Sequence, residues 1–206
     1  MKKVLIVVDF QNDFCDPKGS LYVNGASMAK EAIMKYIRDS KDIDEVLFTV
    51  DWHAADHCSF DINGGEWPVH CLQHTWGASI PKDLQDCVID NDKIMWVIEK
   101  GTNPDFEEYG AFGRIEKTES NSNGEQTLHY NLFGLDENYP YYHELDEDET
   151  HIVICGLAGD YCVLETLKNL VSCGYFNIEI LKDGIASIDG GEKLNEYVKE
   201  MDLKFI

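Results

Sequence analysis

The stretch HIVICGLAGDYCVLETLKNLVSCG, residues 151–174, decides the fold. It opens with HIVICG (151–156), a continuous apolar run rich in β-branched residues. In the following DYCVLETLKNLVSCG (160–174), the apolar residues share one face of a helix: Val163, Leu164, Leu167, Leu170 and Val171. Gly174 then provides a helix stop. The stretch therefore predicts a buried strand that passes through a short turn into an amphipathic helix.

Other segments repeat this strand-and-helix alternation. Four have the same continuous apolar character: VLIVVD (4–9), EVLFTVD (45–51), KIMWVIEK (93–100) and FNIEILKD (176–183). Such runs suit a parallel sheet covered on both faces, because a sheet with one wet face would alternate polar and apolar residues. Two more segments have helical character: ASMAKEAIMKYIRDS (26–40) and GGEKLNEYVKEM (190–201). We predict an α/β fold of three layers, a doubly wound and mainly parallel sheet with helices on both faces.

The length and composition suit one domain over residues 1–206, since 206 residues with 44% hydrophobic content can bury one sizeable core. One region departs from the rest, because residues 102–150 are acidic and rich in tyrosine. We interpret this region as an insertion, either a solvated one with weak structure of its own or a lid or oligomer contact. We expect the protein to be a homo-oligomer.

The charge balance argues against two classes of partner. With 17 basic and 39 acidic residues, the formal net charge of −22 repels a nucleic-acid backbone and an anionic membrane surface, so we expect a small-molecule substrate. Asp9 interrupts the amino-terminal apolar run too early for a signal peptide or a membrane span, and we expect a cytoplasmic protein. Seven cysteines, an odd number with no C-x-x-C pair, predict free thiols.

Reactive residues follow the apolar runs. Asp9, Asp51 and Lys100 end three predicted strands, and Cys162 follows a fourth across a short turn. Ligands of open α/β sheets bind beyond the carboxyl ends of the strands, so these side chains should converge on one crevice. A single charged strand end could merely reach solvent, but four reactive residues at four ends favour a site.

Cys162 is the candidate nucleophile. Asp160 is the predicted N-cap, and a helix that begins near Tyr161 places the thiol in its first turn, at the positive end of the helix dipole. This position is expected to lower the thiol pKa and so to increase the fraction of reactive thiolate. The free N–H groups of the same turn could also bind an oxyanion.

These residues lie in motifs that resemble those of the isochorismatase-like cysteine hydrolases and, within them, the nicotinamidases. The motifs are VVDFQNDFC (7–15), DWHAADHCSF (51–60), WPVHC (67–71) with TWGA (75–78), EKG (99–101) and GLAGDYCV (156–163). The first, second and last are specific, whereas EKG is weak by itself and gains weight from its position at a strand end. The resemblance covers nearly the whole chain apart from residues 102–150.

The resemblance implies a triad of Asp9, Lys100 and Cys162. Lys100 would hold Asp9 ionised and favour the thiolate, and Asp9 would accept the thiol proton. An oxyanion hole formed by the N–H groups of Ala158 and Cys162 is implied as well, with a cis peptide bond between Leu157 and Ala158. Asp9 would then protonate the departing ammonia, and water would hydrolyse the thioester.

The resemblance also implies one divalent metal ion held by Asp51, His53 and His70, with His57 ranked below them as a fourth ligand. Carboxylate and imidazole donors suit zinc, iron or manganese, and zinc is the ion we expect. The ion would hold the pyridine nitrogen of the substrate so that the carboxamide meets the cysteine. The same resemblance places four residues around the substrate: Phe14, Trp67, Leu157 and Ala158.

The activity implied is hydrolysis of nicotinamide, and also of pyrazinamide, to the acid and ammonia through a thioester, as a step of NAD salvage. A related hydrolase of N-carbamoyl or ureido substrates is the nearest alternative, although such enzymes generally lack the metal motif. Two further alternatives stay open: a mechanism in which the metal activates the attacking water and Cys162 is structural, and a binding protein without catalysis on the same fold.

Two positions depart from the family pattern. The family usually has Thr at the position of Gly159 and often has Pro at the position of Ala54, and Gly159 is expected to loosen the turn that forms the oxyanion hole. Three residues of the first loop are assigned to its shape and not to chemistry: Gln11, Asn12 and Asp13.

Overall fold

A computed structural model describes residues 2–120, 126–132 and 149–206. Its elements in chain order are β1 (Lys2–Val8), α1 (Asn12–Cys15), α2 (Ala26–Asp39), β2 (Glu45–Asp51), α3 (Lys82–Asp90), β3 (Ile94–Lys100), β4 (Gly113–Ser120), β5 (Gln126–Leu132), β6 (Thr150–Leu157), α4 (Cys162–Ser172), β7 (Ile178–Ala186), α5 (Glu192–Glu200) and β8 (Lys204–Phe205). Six of the strands form one sheet in the order β3-β2-β1-β6-β7-β8, with every neighbouring pair parallel. The predicted parallel α/β fold is confirmed.

Helices cover both faces of this sheet, as predicted. Leu5 and Val7 of β1 pack with α2 and α3 in one core, and Ile6 and Val8 pack with α4 and α5 in a second core. The two cores lie on opposite faces because successive side chains of a strand point in opposite directions. All four side chains are fully buried, which explains why the sequence of β1 is apolar throughout and does not alternate.

The five predicted strands and three predicted helices correspond to elements of the structure. Besides the strand pair β4 and β5, three short elements were not predicted. These are α1, α3 and β8. One helical turn and a two-residue strand are too short to carry a hydrophobic period. The helix α3 has nine residues and buries only three side chains, Leu84, Cys87 and Val88, so its period is weak.

The strand β7 is longer than predicted. It extends to Ala186, because Ile185 and Ala186 pair with Gly156 and Leu157 of β6 after a shift in register. The added residues of β7 thus pair with the end of β6 on one side, and the end of β1 pairs with it on the other side.

The region interpreted as an insertion contains regular structure. The strands β4 and β5 pair antiparallel, with a register shift between Ile115 and Lys117. The interpretation of weak structure is therefore wrong for these two strands. The acidic stretch ELDEDE (144–149) falls almost entirely outside the described residues.

Two further observations bear on the class of protein. None of the described helices has both the length and the apolar character that a bilayer-spanning segment requires. All seven cysteines are free thiols, as predicted.

Candidate active site

The carboxyl ends of four neighbouring strands bring the predicted residues together. β1 and β6 are adjacent in the sheet and the chain order changes direction between them, which opens a crevice at their carboxyl ends. Asp9 follows β1, and Cys162 begins α4 shortly after β6. Asp51 and Lys100 are the last residues of β2 and β3 and are partners in register. All four side chains are buried.

Lys100 lies at the centre of this group. Its Nζ atom is 2.8 Å from Oδ2 of Asp9, 2.5 Å from Oδ1 of Asp51 and 3.8 Å from Sγ of Cys162. The other oxygen of Asp9 accepts a hydrogen bond of 2.7 Å from the hydroxyl of Thr49. The ammonium contacts both the carboxylate of Asp9 and the thiol of Cys162, and these two groups lie within 4.8 Å of each other, so the nucleophile has an adjacent base.

Burial and charge set the protonation of this group. Burial raises the pKa of Asp9 to about 6, and the ammonium of Lys100 opposes that rise. Burial by itself acts to lower the pKa of Lys100, but the carboxylates of Asp51 and Asp9 raise it well above its ordinary value. At neutral pH Asp9 is therefore mainly ionised, close enough to its pKa to accept and return a proton, and Lys100 stays charged.

The prediction of a lowered thiol pKa at Cys162 is wrong. Burial raises the pKa of this thiol well above its ordinary value, and Lys100 offsets the rise only in part. The helix terminus does not compensate for removing the sulfur from water beside two carboxylates. The resting group is therefore a thiol, and its proton must pass to a base such as Asp9.

The turn before α4 also differs from the prediction. Tyr161 and not Asp160 is the N-cap, and it makes no capping bond through its side chain. The carboxylate of Asp160 instead accepts hydrogen bonds of 2.9 Å from the N–H groups of Ile188 and Asp189. Asp160 thus ties the turn to the loop that follows β7.

The backbone around Ala158 has the form that the resemblance implied. The peptide bond between Leu157 and Ala158 is cis. Within the described part of the chain, the N–H groups of Ala158 and Cys162 make no hydrogen bond, so both are free to bind an oxyanion.

The expectation that Gly159 loosens this turn is wrong. The N–H group of Gly159 donates to the carbonyl of Ala186 at 2.9 Å. A Cβ atom on Gly159 would lie 2.2 Å from Oγ of Ser187 and 2.7 Å from Cγ2 of Ile185. Those two side chains fill the space of the missing side chain, so glycine fits a packed turn here.

A second group beside the triad has the chemistry of a metal site. Asp51, His53 and His70 each offer one ligand atom, and these atoms lie within 4.8 Å of one another. Nδ1 of His53 is 2.8 Å from the carbonyl of Gly101, and Nδ1 of His70 is 2.7 Å from that of Pro68. A carbonyl only accepts, so each Nδ1 carries a proton, and in the neutral ring each Nε2 presents a lone pair, the usual state of metal-binding histidines. Nε2 of His53 is buried without a partner in the described chain, so these residues fit a divalent cation.

His57 has a different hydrogen-bonding state. Its ring centroid lies 4.0 Å from that of His53, but His57 is not part of the three-residue group. The N–H group of Ser59 lies 3.2 Å from its Nδ1, the hydroxyl of Ser59 lies 2.7 Å from the same nitrogen, and Nε2 is buried without a partner in the described chain. Burial and the neighbouring His53 lower the pKa of His57 to about 4, which keeps the ring neutral. His57 lies beside the three-residue group, and its role as a fourth ligand stays a prediction ranked below theirs.

A second set of potential metal ligands already holds a positively charged side chain. Ligand atoms of Asp9, Asp51 and Cys162 also lie within 4.8 Å of one another. The ammonium of Lys100 lies among them and already supplies the positive charge. We therefore assign this set to the triad and not to a metal.

Asp51 joins the two groups, a role that sequence reasoning missed. Oδ1 contacts Lys100, and Oδ2 lies 3.6 Å from Nε2 of His53. Burial acts to raise the pKa of Asp51, but Lys100 and His53 hold it well below its usual range. Asp51 and Lys100 end β2 and β3 in the same register, but this pairing of the strands cannot be read from one sequence.

A pocket of about 400 Å³ of empty space, partly open to solvent, leads to Cys162. Phe14, Trp67 and Ala158 line it, as implied. Leu157 does not: its side chain is fully buried in the core shared with α2, because the last residue of β6 points away from the crevice. The side chain of Leu157 therefore does not form part of the pocket wall.

Sequence reasoning also missed part of the pocket wall. Tyr109, Tyr161 and Glu107 line the pocket. The indole N–H of Trp67 donates to the hydroxyl of Tyr109 at 3.0 Å, and the ring of Tyr161 meets that of Trp67 edge to face at 5.3 Å. Glu107 and Tyr109 belong to the region set aside as an insertion, whose richness in tyrosine was the signal that could have found them.

The fold and the site together define a cysteine hydrolase of the isochorismatase-like type. A nicotinamidase of Saccharomyces cerevisiae is 30% identical over 97% of this chain and 95% of its own length. A nicotinamidase of Escherichia coli is 30% identical over 91% of this chain and 84% of its own length. The chain belongs to the nicotinamidase family. No family model matches the chain.

Solved structures show the same likeness. A pyrazinamidase of Pyrococcus horikoshii in complex with zinc superposes with a TM-score of 0.70 at 28% identity, over 100% of this chain and 99% of the other. PnC1 from L. infantum in complex with nicotinate gives 0.75 at 28% identity, over 100% and 92%. The yeast nicotinamidase bound to the inhibitor nicotinaldehyde gives 0.75 at 27%, over 99% of each chain.

Proposed function

We propose that this protein hydrolyses nicotinamide to nicotinate and ammonia, with pyrazinamide as a second substrate. The observation that carries the proposal is the position of the Lys100 ammonium between Asp9, Asp51 and Cys162. The proposal is supported by a candidate nucleophile and base beside a group of candidate metal ligands, next to a pocket lined by aromatic rings. The named activity of the relatives supports the same substrate.

The pocket and the metal group orient the substrate. A divalent cation, zinc by analogy with the complex of the related pyrazinamidase, would be held by Asp51, His53 and His70 and would fix the pyridine nitrogen. Phe14 and Trp67 line the space on the way to Cys162 and suit a flat ring. The carboxamide is thereby directed at the sulfur.

Acylation begins with transfer of the thiol proton to Asp9. The sulfur of Cys162 attacks the carboxamide carbon, and the resulting oxyanion is bound by the N–H groups of Ala158 and Cys162. Lys100 stabilises the thiolate as the proton leaves, because its ammonium is 3.8 Å from the sulfur. Asp9 returns the proton to the departing nitrogen, so ammonia is released and a thioester remains.

Deacylation uses the same residues. Asp9, ionised again, takes a proton from a water molecule that attacks the thioester carbon. The same N–H groups bind the second oxyanion, the carbon–sulfur bond breaks, and the proton held by Asp9 restores the Cys162 thiol. The acid leaves as its anion. A pKa of about 6 suits Asp9 to accept and donate protons at neutral pH.

We also propose the setting of this reaction. A cytoplasmic enzyme of NAD salvage agrees with the free cysteines, and a homo-oligomer is our proposal for its assembly. The alternative substrates, N-carbamoyl or ureido compounds, are less favoured because the Asp51, His53 and His70 group suits a ring nitrogen acting through a cation.

The test is ammonia release from the purified protein with nicotinamide, with and without a chelator. Cys162→Ala and Lys100→Ala should abolish release, and chelation should reduce it. Two matched variants should retain it: Cys173→Ala, at the other end of α4, and Lys93→Ala, whose ammonium donates to the carbonyl of Ile43 at 2.7 Å. A folded, metal-loaded Cys162→Ser variant that kept most of its activity would refute the thioester mechanism.

A further inference from the structure

The strand β1 ends earlier in the paired register than its neighbour β2. The last register pair between them is Val8 with Thr49, after which Asp9 adopts a positive φ of 45° and turns the chain away from the sheet. The N–H group of Asp9 still reaches the carbonyl of Thr49 at 3.0 Å. β2 continues to Asp51, whose backbone therefore has no partner from the β1 backbone on this side.

The side chain of Gln11 takes the place of the missing strand. Its Oε1 accepts a hydrogen bond of 2.8 Å from the N–H group of Asp51, and its Nε2 donates to the Asp51 carbonyl at 2.7 Å. The same Nε2 donates to the carbonyl of Ala78 at 2.9 Å. Gln11 is fully buried, so these bonds are shielded from water. One amide thus holds both backbone groups of the residue whose carboxylate joins the metal group.

Asp13 holds the other ligand-bearing segment. Its Oδ2 accepts a hydrogen bond of 2.7 Å from the N–H group of Cys71, and its Oδ1 accepts one of 3.1 Å from Ser20. Cys71 directly follows His70, so the bond fixes the backbone beside that ligand. Gly77 leaves the room that the carboxylate needs, because a Cβ atom there would lie 2.0 Å from Oδ2 of Asp13.

We propose that Gln11 and Asp13 are positioning residues of the metal centre, each of which fixes one ligand through its backbone. The inference rests on the proposed metal site. One ligand, Asp51, ends β2, and another, His70, lies in the long connection after it, and the segment 11–13 bonds to the backbone at both places. A ligand set assembled in this way binds an ion without first ordering its loops, and so binds it more tightly.

The experiment measures the Kd for zinc by competition with a chromophoric chelator. Gln11→Met keeps the size of the side chain and removes its three hydrogen bonds, and Asp13→Asn keeps one acceptor of two. Each should raise the Kd by about 10–100-fold, as loss of outer hydrogen-bond partners generally does. Asn12→Leu is the matched control, because Asn12 donates from the same loop to Trp76 at 2.8 Å, away from the ligands. It should leave the Kd unchanged.

Folding and kinetics separate positioning from general stability. Circular dichroism verifies the fold, and Gln11→Asn, which keeps the amide on a shorter side chain, replaces Gln11→Met if the latter does not fold. At saturating zinc, the Gln11 variant should raise the KM for nicotinamide more than it lowers kcat, since loss of active protein alone would lower kcat and leave KM unchanged.

The outcomes are distinct for the two proposals. A folded Gln11 variant that binds zinc as tightly as the wild type, or an Asn12→Leu variant that loses as much affinity, overturns the positioning role and leaves the proposed function intact. A wild-type protein that binds no zinc overturns the metal site itself, and the positioning role with it.

Discussion

Replacing Lys100 by Met removes a buried ammonium 2.8 Å from Asp9 and 2.5 Å from Asp51 and keeps the unbranched shape of the side chain. Even with Lys100 present, the pKa of Asp9 is about 6 against an ordinary 3.8, so ionised Asp9 costs the folded state about 3 kcal/mol. Removing one partner of a buried ion pair costs about 3–5 kcal/mol. We therefore expect the free energy of unfolding of Lys100→Met to be about 3–5 kcal/mol lower than that of the wild type at about pH 8.

The loss should depend on pH, with a defined sign. Because the folded pKa of Asp9 lies above the unfolded value, its penalty is absent below the unfolded pKa and grows as the pH rises through the folded pKa. Without Lys100 the folded pKa rises further, since the ammonium opposes the effect of burial. At about pH 5.5 Asp9 is then protonated in the folded variant, and the loss of stability should be clearly smaller than at about pH 8.

Urea unfolding of chelator-treated protein at both pH values measures the loss, because a bound cation would partly neutralise Asp51. Lys93→Met is the control: its ammonium donates to the carbonyl of Ile43, so its loss should be small and independent of pH. A Lys100→Met loss that is equal at both pH values, or no larger than that of Lys93→Met, would refute the electrostatic account.

Three further predictions concern pH and the metal group. In a steady-state pH profile, kcat/KM for nicotinamide should fall on the acid side with an apparent pKa of about 6, because Asp9 must be ionised to take the thiol proton. A flat profile would contradict its role as base. Gly101→Ala should weaken zinc binding by about tenfold or more in a chelator competition, because the new Cβ atom would lie 2.5 Å from Cε1 of His53. Gly64→Ala, at a similarly positive φ with nothing within 4 Å, should not weaken it. Zinc affinity should fall much further in His53→Gln than in His57→Gln, and equal losses would make His57 a ligand.

Sequence reasoning reached the site at the reactive residues that end apolar runs, and the family resemblance supplied their roles, the metal ligands and the pocket residues. Asp9, Lys100 and Cys162 stand at the ends of apolar runs, and the sheet brings them within contact. The protonation of Cys162 was beyond reach, because it depends on burial beside Asp9 and Asp51 and not on helix position alone. The hydrogen-bond partners of His57 were equally out of reach, since they depend on how the loop around Ser59 folds.

The fold shows the same division. Continuous apolar runs indicated a parallel sheet because both faces of its strands are buried, a property that each strand carries in its own sequence. The order of strands, the extension of β7 and the strand pair in the insertion depend on pairing between distant segments. No local period records such pairing.

By itself, the sequence determined the class of fold and the residues able to do the chemistry, because burial patterns and reactive side chains are local properties. Only the tertiary structure decided how they act together. It placed Asp51 against both Lys100 and His53, which joins the triad to the metal group, and it buried Cys162, which raises the pKa of its thiol. It also brought the amide of Gln11 to the backbone of Asp51. Apart from Asp51 and His53, the residues that meet here are at least 40 positions apart in the sequence, and parallel pairing of the strands is the physical reason that they meet.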